Sequence, residues 1–203
     1  EPVSYAEDIR TVELALIDKS SAEVDRVVAV SRTKLLEAAA AEEPVDLPGT
    51  PWKLRVHDYF RNAKVRLAQP GETSRATAGA GSVQKAVELP PVSGVSSDQG
   101  VDLPAALVEL IGPEGSSTGI LLASPYLRND TVTLGEEKIE VALRFQRYPK
   151  PYTLTLEKFE HEKYVGADTA KGFKSYVRLE DPEAGEDRQV AIWMNSPLRY
   201  RGD

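Results

Sequence analysis

Cysteine is absent from the 203-residue sequence, which also has only two histidines, two tryptophans and one methionine. Without cysteine the chain can form no disulfide, thiolate zinc site, CxxC redox pair or CxxCH haem-attachment motif. No apolar run approaches the roughly 20 residues that cross a bilayer as a helix. The formal net charge of -7 argues against a nucleic-acid partner, because phosphate contacts need clustered lysine and arginine.

Motifs that would indicate catalysis are missing as well. Neither His57 nor His161 has a second histidine or a cysteine at ligand spacing, so both are interpreted as surface residues. The chain contains no GxSxG nucleophile elbow, and "GAGS" at 79–82 lacks the Lys-Ser/Thr of a phosphate loop. The acidic segments 180–182 and 183–187 are typical of polar turns. We therefore predict a non-enzymatic chain with no catalytic, cofactor-binding or metal-binding residue.

Alternation of apolar and polar residues is the dominant pattern that is present. In "TVELALID", Val12, Leu14 and Leu16 share one face, which predicts a strand over 11–18. One bent strand with a bulge or tight turn at 61–62 is predicted over 51–67. Further short strands are predicted over 26–30, 105–110, 119–124, 130–135, 138–145, 152–159, 173–180 and 188–195, and residues 84–104 are predicted to mix a short strand with an irregular segment. The last two strands flank the turn "DPEAGED" and form a hairpin.

One helix interrupts the strands. The segment "SRTKLLEAAAAEE" has Ser31 or Thr33 as its N-cap and ends at Pro44, and a longer helix from near Ala22 is the alternative. Residues 69–82 are small and polar, which predicts a mobile loop or a long connection. The hydrophobic content of 41% suits a globular domain with its own core. The fold class predicted is mainly β, an antiparallel β-sandwich-like single domain over 1–203 with one short helix.

The C-terminal third adds a motif that periodicity cannot explain. Its three segments read P-[FY]-x-L-x-L-x-x-F, F-x-S-x-V-x-L-x-D and V-x-I-x-M-N-x-P-L-x-Y-x-G. The matching positions, to which we assign structural roles, are Pro151, Leu154, Phe159, Tyr164, Gly166, Phe173, Ser175, Asn195, Pro197, Leu198, Tyr200 and Gly202. Further matches are Leu156, Asp168, Val177, Leu179, Asp181, Val190, Ile192 and Met194. Over 150–203 this pattern resembles the ResB-like proteins of cytochrome c biogenesis.

The resemblance implies a piece of an integral membrane protein, cut from a large domain on the extracytoplasmic (periplasmic) face of the cytoplasmic membrane. Together with a ResC/CcsA-type membrane partner, such proteins form the system II apparatus, which delivers haem and attaches it to apocytochrome c. The family's haem-ligating histidines lie at membrane helices. We therefore expect no haem ligand in this chain, and haem is implied only for the intact membrane complex.

Alternatives to this interpretation remain open. The chain ends in Arg201-Gly202-Asp203, a tripeptide bound by integrins, and Trp52 and Trp193 would suit a sugar-stacking platform. A carbohydrate-binding or adhesion β-sandwich is therefore the alternative hypothesis, and an enzyme that uses turn carboxylates is a third. Within the ResB-like interpretation Gly202 belongs to the motif, and a free sheet edge could accept an extended apocytochrome segment.

Overall fold

The computed structural model of the chain describes residues 2–21, 25–41, 43–92, 101–163 and 170–202. The chain divides into two compact units. The larger unit is Asp8–Gln146, and the smaller unit combines Glu1–Glu7 with Arg147–Asp203. The expectation of a single domain over 1–203 stays a prediction.

Strands make up most of the described chain. They are β1 (Val3–Asp18), β2 (Arg26–Ser31), β3 (Val45–Asp46), β4 (Lys53–Phe60), β5 (Ala63–Leu67), β6 (Gln84–Glu88), β7 (Ala105–Ile111), β8 (Leu121–Ala123), β9 (Asp130–Leu134), β10 (Glu137–Lys163), β11 (Ala170–Asp181) and β12 (Glu186–Trp193). The α-helix found among the described residues is α1 (Arg32–Ala40), and short 3₁₀ turns lie at Ala80–Val83 and Pro113–Gly115. In this part of the chain no helix is long and apolar enough to cross a membrane.

The larger unit is a sandwich of two sheets. In the first sheet β2 pairs with β1, β1 lies beside β10, and β10 pairs with β9. The second sheet has the order β3-β4-β7-β8. Between the sheets lies one apolar core, whose buried side chains include Leu14, Leu16, Leu54, Leu110 and Ile139. The prediction of a mainly β, antiparallel fold with one short helix is confirmed.

Strand β7 shows why its sequence, "AALVELI", is apolar at nearly every position. Val108 and Leu110 face the main core, whereas Ala105 and Leu107 belong to a second, smaller core. The hairpin of β5 and β6 supplies residues to that second core. A strand buried on both faces has no solvent side, so its sequence loses the usual alternation.

Helix α1 begins where the sequence predicted. The side-chain oxygen of Ser31 accepts a hydrogen bond from the backbone N–H of Lys34, which makes Ser31 the N-cap. Leu35 and Ala38 are buried against the main core. The helix ends at Ala40, so Ala41 and Glu43, which were predicted as helical, are not part of it.

The smaller unit contains the three C-terminal strands. Strand β11 pairs antiparallel with β10 on one side and with β12 on the other. The predicted hairpin of β11 and β12 is confirmed, and its turn includes Gly185 at φ 67°, a backbone conformation that glycine adopts without strain. Strand β12 is the edge of this sheet.

Strand β1 begins at Val3 and not at residue 11 as predicted, and two further stretches differ from the predictions. Residues 138–145 and 152–159 were predicted as separate strands, yet both belong to the continuous strand β10, which runs through Pro149 and Pro151. The predicted bent strand over 51–67 is instead two strands, β4 and β5, which separate at the expected tight turn of Arg61 and Asn62 and join different sheets. Residues 69–82 form a connection with buried contacts, because Ala76 packs into the second core.

Candidate functional site

The motif residues of the C-terminal third lie on the sheet of β10, β11 and β12. Leu154 of β10 is opposite Leu179 of β11, and Phe159 is opposite Ser175. Because directly paired residues share a face, these four side chains lie on one side of the sheet. Tyr164 and Gly166 of the motif lie outside the described residues.

Asp181 is the centre of a polar cluster that the sequence did not predict. The side chain is fully buried, although "EDP" was interpreted as ordinary turn chemistry. One carboxylate oxygen, Oδ1, accepts the backbone N–H of Ala184 at 3.0 Å. The other, Oδ2, accepts the hydroxyl of Tyr200 at 3.0 Å and Nε of Arg201 at 2.8 Å. The β11–β12 turn is thereby joined to the C-terminal segment.

The surroundings of Asp181 favour its charged form. Burial raises the pKa of this carboxyl group, but the hydrogen bonds from Ala184 and Tyr200 and the charge of Arg201 outweigh burial and hold the pKa below its ordinary value. Burial, followed by the hydrogen bond to Asp181, raises the pKa of Tyr200. Asp181 is thus an ionised group with hydrogen-bond partners at both oxygens. This arrangement holds the C-terminal segment against the β11–β12 turn.

The remaining C-terminal motif residues shape the tail. Asn195 has φ 66° in a tight turn where Ser196 donates its N–H to the carbonyl of Trp193 at 2.9 Å, and asparagine tolerates this left-handed conformation. The ring of Tyr200 meets that of Tyr152 edge-on at 5.1 Å. Gly202 has φ 91°, which favours glycine.

Arg201, the first residue of the terminal tripeptide, is held by these contacts as part of the tail. Arg201 is engaged with Asp181 at 2.8 Å, and its guanidinium also lies 3.6 Å from Glu183. An integrin-binding arginine has to be free to reach its receptor. The geometry therefore favours a structural role for Arg201 over the adhesion alternative.

One face of the smaller unit leaves large apolar side chains exposed. We call it the aromatic face and define it as Leu156, Phe159, His161 and Phe173. Phe159 and Phe173 stack with ring centroids 6.0 Å apart, and the imidazole of His161 stacks on Phe173 at 4.7 Å. Leu156 and Phe159 are each more than half exposed, at 57% and 56%. A contiguous apolar patch of this kind is typical of an interaction surface.

Neither histidine has the surroundings of a metal ligand. His161 is exposed in the aromatic face, as the surface interpretation requires. His57 differs from that interpretation, because it is half-buried and its Nε2 lies 2.8 Å from Oε2 of Glu109. Burial raises the pKa of Glu109, but hydrogen bonds with Ser117 and His57 prevail and lower it. Across the described ranges no three histidine, aspartate or glutamate side chains cluster as metal ligands would.

The two tryptophans have opposite environments. Trp52 is buried, at 4% exposure, and its indole N–H donates to Oε2 of Glu137 at 2.8 Å. Trp52 therefore belongs to the core and cannot stack on a sugar. Trp193 is half-exposed at the end of β12, beside the ammonium group of Lys174 at 5.9 Å from its ring. Of the two tryptophans that suggested a sugar-binding platform, only Trp193 is therefore accessible to a ligand.

Comparison with known proteins assigns the motif. Residues 119–203 match the model of the ResB-like family, and this range includes every motif residue named above. The match confirms that the C-terminal part of the chain resembles this family.

A curated relative agrees with this assignment. Protein NrfI of Wolinella succinogenes is 32% identical over 76 residues, which cover 37% of this chain. The aligned part is 8% of the length of NrfI, so the chain corresponds to a small part of that protein.

Proposed function

We propose that the chain is a non-catalytic, extracytoplasmic part of a ResB-like membrane protein. In this role it supports the delivery of haem, and its attachment to apocytochrome c, together with a ResC/CcsA-type partner. The observation that supports the proposal best is the family match over residues 119–203. Haem belongs to the intact membrane complex in this proposal, and the chain contributes contacts with proteins.

The sheet of the smaller unit offers an edge for one such contact. Strand β12 is hydrogen-bonded to β11 on one side and ends the sheet on the other. An edge strand carries unpaired backbone N–H and C=O groups that can accept another strand. The haem-attachment segment of an apocytochrome is unfolded before maturation, so it can bind β12 in extended form.

The aromatic face offers the second contact. Phe173 lies on β11, the strand next to the edge β12, and Phe159 lies on β10, the strand after it. Both side chains are exposed. Burying aromatic side chains provides much of the binding energy of protein interfaces. We assign this face to the ResC/CcsA-type partner and the edge of β12 to the apocytochrome.

The role in maturation is tested with the full-length protein in its host. Deletion of the gene is expected to abolish mature c-type cytochromes, measured by haem-dependent peroxidase staining of membrane proteins after electrophoresis. Full-length wild-type protein restores them. Normal levels of haem-bearing cytochrome in the deletion strain would show that the proposed role is wrong.

The aromatic face is tested in the same strain. A full-length variant with Phe159→Ser and Phe173→Ser is expected to accumulate normally, judged by immunoblot, while copurifying less of the ResC/CcsA-type partner and restoring less haem-bearing cytochrome. Tyr126→Ser is the control, because Tyr126 is an exposed aromatic residue, at 69%, in the larger unit. Equal partner recovery with both variants contradicts the assignment of this face.

The edge is tested with a reduced peptide that contains CxxCH and its flanking residues. Amide NMR of the ¹⁵N-labelled chain should show shifts concentrated at Glu186–Trp193, with weaker effects from a peptide of scrambled sequence. No shift at millimolar peptide would refute binding at this edge.

A further inference from the structure

The larger unit contains a cleft at one end of its sandwich. The cavity measures ≈ 480 Å³, which lies within the range of roughly 300–1,000 Å³ that is typical of small-molecule sites. Its walls come from β1, α1, the end of β4, the segment before β7, and β10. The buried Val12 is part of the main core, so the cleft opens directly onto the apolar interior of the sandwich.

The charged groups of the cleft have one predominant sign. Arg10, Arg32 and Arg61 line it, and among the described lining residues Asp102 is the one carboxylate. The whole chain has a net charge of -7, so three guanidinium groups around one cavity are a local reversal of the overall charge. Clefts with one sign of charge and apolar walls concentrate ligands of the opposite sign.

Asp102 does not neutralise the cleft, because its two oxygens are already engaged. Oδ2 accepts Nε of Arg61 at 2.7 Å, and Oδ1 accepts the backbone N–H of Val92 at 2.6 Å. This arrangement satisfies Arg61 and leaves Arg10 without a carboxylate partner among the described lining residues. The charge of Arg32 acts on Asp102, whose pKa it helps to lower, and on Tyr59. A guanidinium group has five N–H donors, so these neighbours leave donors for a ligand.

Apolar groups form the rest of the cleft. Phe145 and Tyr59 pack against the main core, while Ile9 and Val101 are exposed, at 58% and 49%. Burying these side chains against a ligand would remove apolar surface from water. A ligand that satisfies both features has an apolar body and an anionic head.

We propose that this cleft binds an amphipathic anion, a small molecule with an apolar body and a carboxylate or comparable oxyanion held by Arg10 and Arg32. The apolar body lies against Phe145, Val12 and Ile9. Carboxylate is the preferred partner of arginine because two parallel N–H donors match its two oxygens. The proposal does not depend on the role in cytochrome maturation, since the cleft lies in the larger unit and outside the aromatic face and β12.

The test compares three ligands with the same ten-carbon tail: decanoate, decanol and decylammonium. Each is titrated into the ¹⁵N-labelled chain below its micelle concentration. Decanoate is expected to shift the amides of Arg10, Arg61 and Asp102, with weaker binding as salt is added. Decanol and decylammonium are expected to bind at least roughly tenfold more weakly, the difference expected for a lost charge-assisted hydrogen bond. Equal binding of decanol, or shifts outside the cleft, would overturn the proposal.

Substitutions locate the anionic head. Arg10→Gln removes an exposed guanidinium with no acceptor for its side chain in the described structure, so the fold should be unaffected. This variant is expected to bind decanoate roughly tenfold more weakly, and Arg32→Gln should behave similarly. Arg128→Gln is the matched control, because Arg128 is exposed and lies outside the cleft. The same affinity in Arg10→Gln, Arg32→Gln and Arg128→Gln would refute an electrostatic site in the cleft.

Discussion

The two units contain the same kind of ion pair in different surroundings. In the larger unit Arg144 of β10 pairs with Glu13 of β1 at 2.9 Å, and the side chains are 18% and 5% exposed. In the smaller unit Arg147 of β10 pairs with Glu7 of β1, also at 2.9 Å, but the exposures are 32% and 36%. The same two strands thus supply an enclosed pair and, three residues further along β10, a partly solvated one.

The two units also differ in how their apolar side chains are buried. Among the described residues, the main core of the larger unit encloses side chains from both sheets and from α1. The smaller unit buries Tyr152, Val177 and Leu179 but exposes Phe159 and Phe173 on the same face of its sheet. The larger unit therefore contains the main core, whereas the smaller unit keeps two stacked aromatic side chains exposed on one face of its sheet.

Breaking the ion pair of the larger unit should have the largest effect on the free energy of unfolding. Breaking the corresponding pair of the smaller unit provides the contrast. Arg144→Met leaves the buried carboxylate of Glu13 without its partner, which is expected to lower the free energy of unfolding by about 3–5 kcal/mol. Arg147→Met removes a pair that water screens, and we expect a loss of about 0–1 kcal/mol. Urea denaturation followed by circular dichroism measures both.

The ring of Tyr5 provides a check on the smaller value. The guanidinium carbon of Arg147 lies 4.0 Å from the centre of this ring, a contact worth about 0.5–1 kcal/mol at an exposed site. Arg147→Lys keeps the positive charge and should recover part of the loss. Equal destabilisation by Arg144→Met and Arg147→Met would contradict the contrast in burial on which the comparison rests.

Local sequence patterns predicted the elements that local rules govern. Ser31 marks the start of α1, and the alternating segments gave β1, β11 and β12, because caps and half-buried strands leave a signal in neighbouring residues. The continuity of β10 was missed, since Pro149 and Pro151 cannot donate to a ladder and normally interrupt a strand. Glu13 alternates with the apolar Val12 and Leu14, yet it is buried and pairs with Arg144. No local pattern indicates this pair, because Arg144 is remote in sequence.

The candidate sites were predicted only where they follow a linear motif. The motif led to Tyr200 and Asp181, but their hydrogen bond depends on the β11–β12 turn bringing the tail close to Asp181. Arg10, Arg32 and Arg61 come from three different elements and no spacing in the sequence relates them. Only the tertiary fold brings these three residues to one cleft, so their common role could not be read from the sequence.

The Asp181 cluster makes the smaller unit sensitive to acid. Because the folded-state pKa of Asp181 is lowered, its contribution to stability is complete above the unfolded-state pKa, which is about 3.9 for aspartate. The contribution is lost as the pH falls from there through the folded-state pKa. We expect Asp181→Asn to be less stable than the wild type at pH 7 and to lose less stability on acidification.

Glu183→Gln is the matched control for this experiment. Glu183 lies in the same turn and approaches Arg201 at 3.6 Å, but its side chain is 75% exposed, so water already satisfies its charge. Thermal unfolding between pH 7 and pH 2.5, followed by tryptophan fluorescence, separates the two variants. If Asp181→Asn shows the same acid dependence as the wild type, Asp181 is not the group that titrates.

A small effect on stability is expected at the aromatic face, and its size decides what that face is for. Leu179 is fully buried, so Leu179→Ala should lower the free energy of unfolding by about 2–5 kcal/mol through the lost apolar contacts and the cavity. Phe159→Ser removes a side chain that is 56% exposed and a stacked pair worth about 0.5–1.5 kcal/mol. We therefore expect a loss of about that size, measured by urea denaturation of the isolated chain. A loss as large as that of Leu179→Ala would mean that Phe159 supports the fold. A small loss combined with reduced partner recovery identifies a binding surface, because the side chain is then needed for the contact with the partner and not for folding.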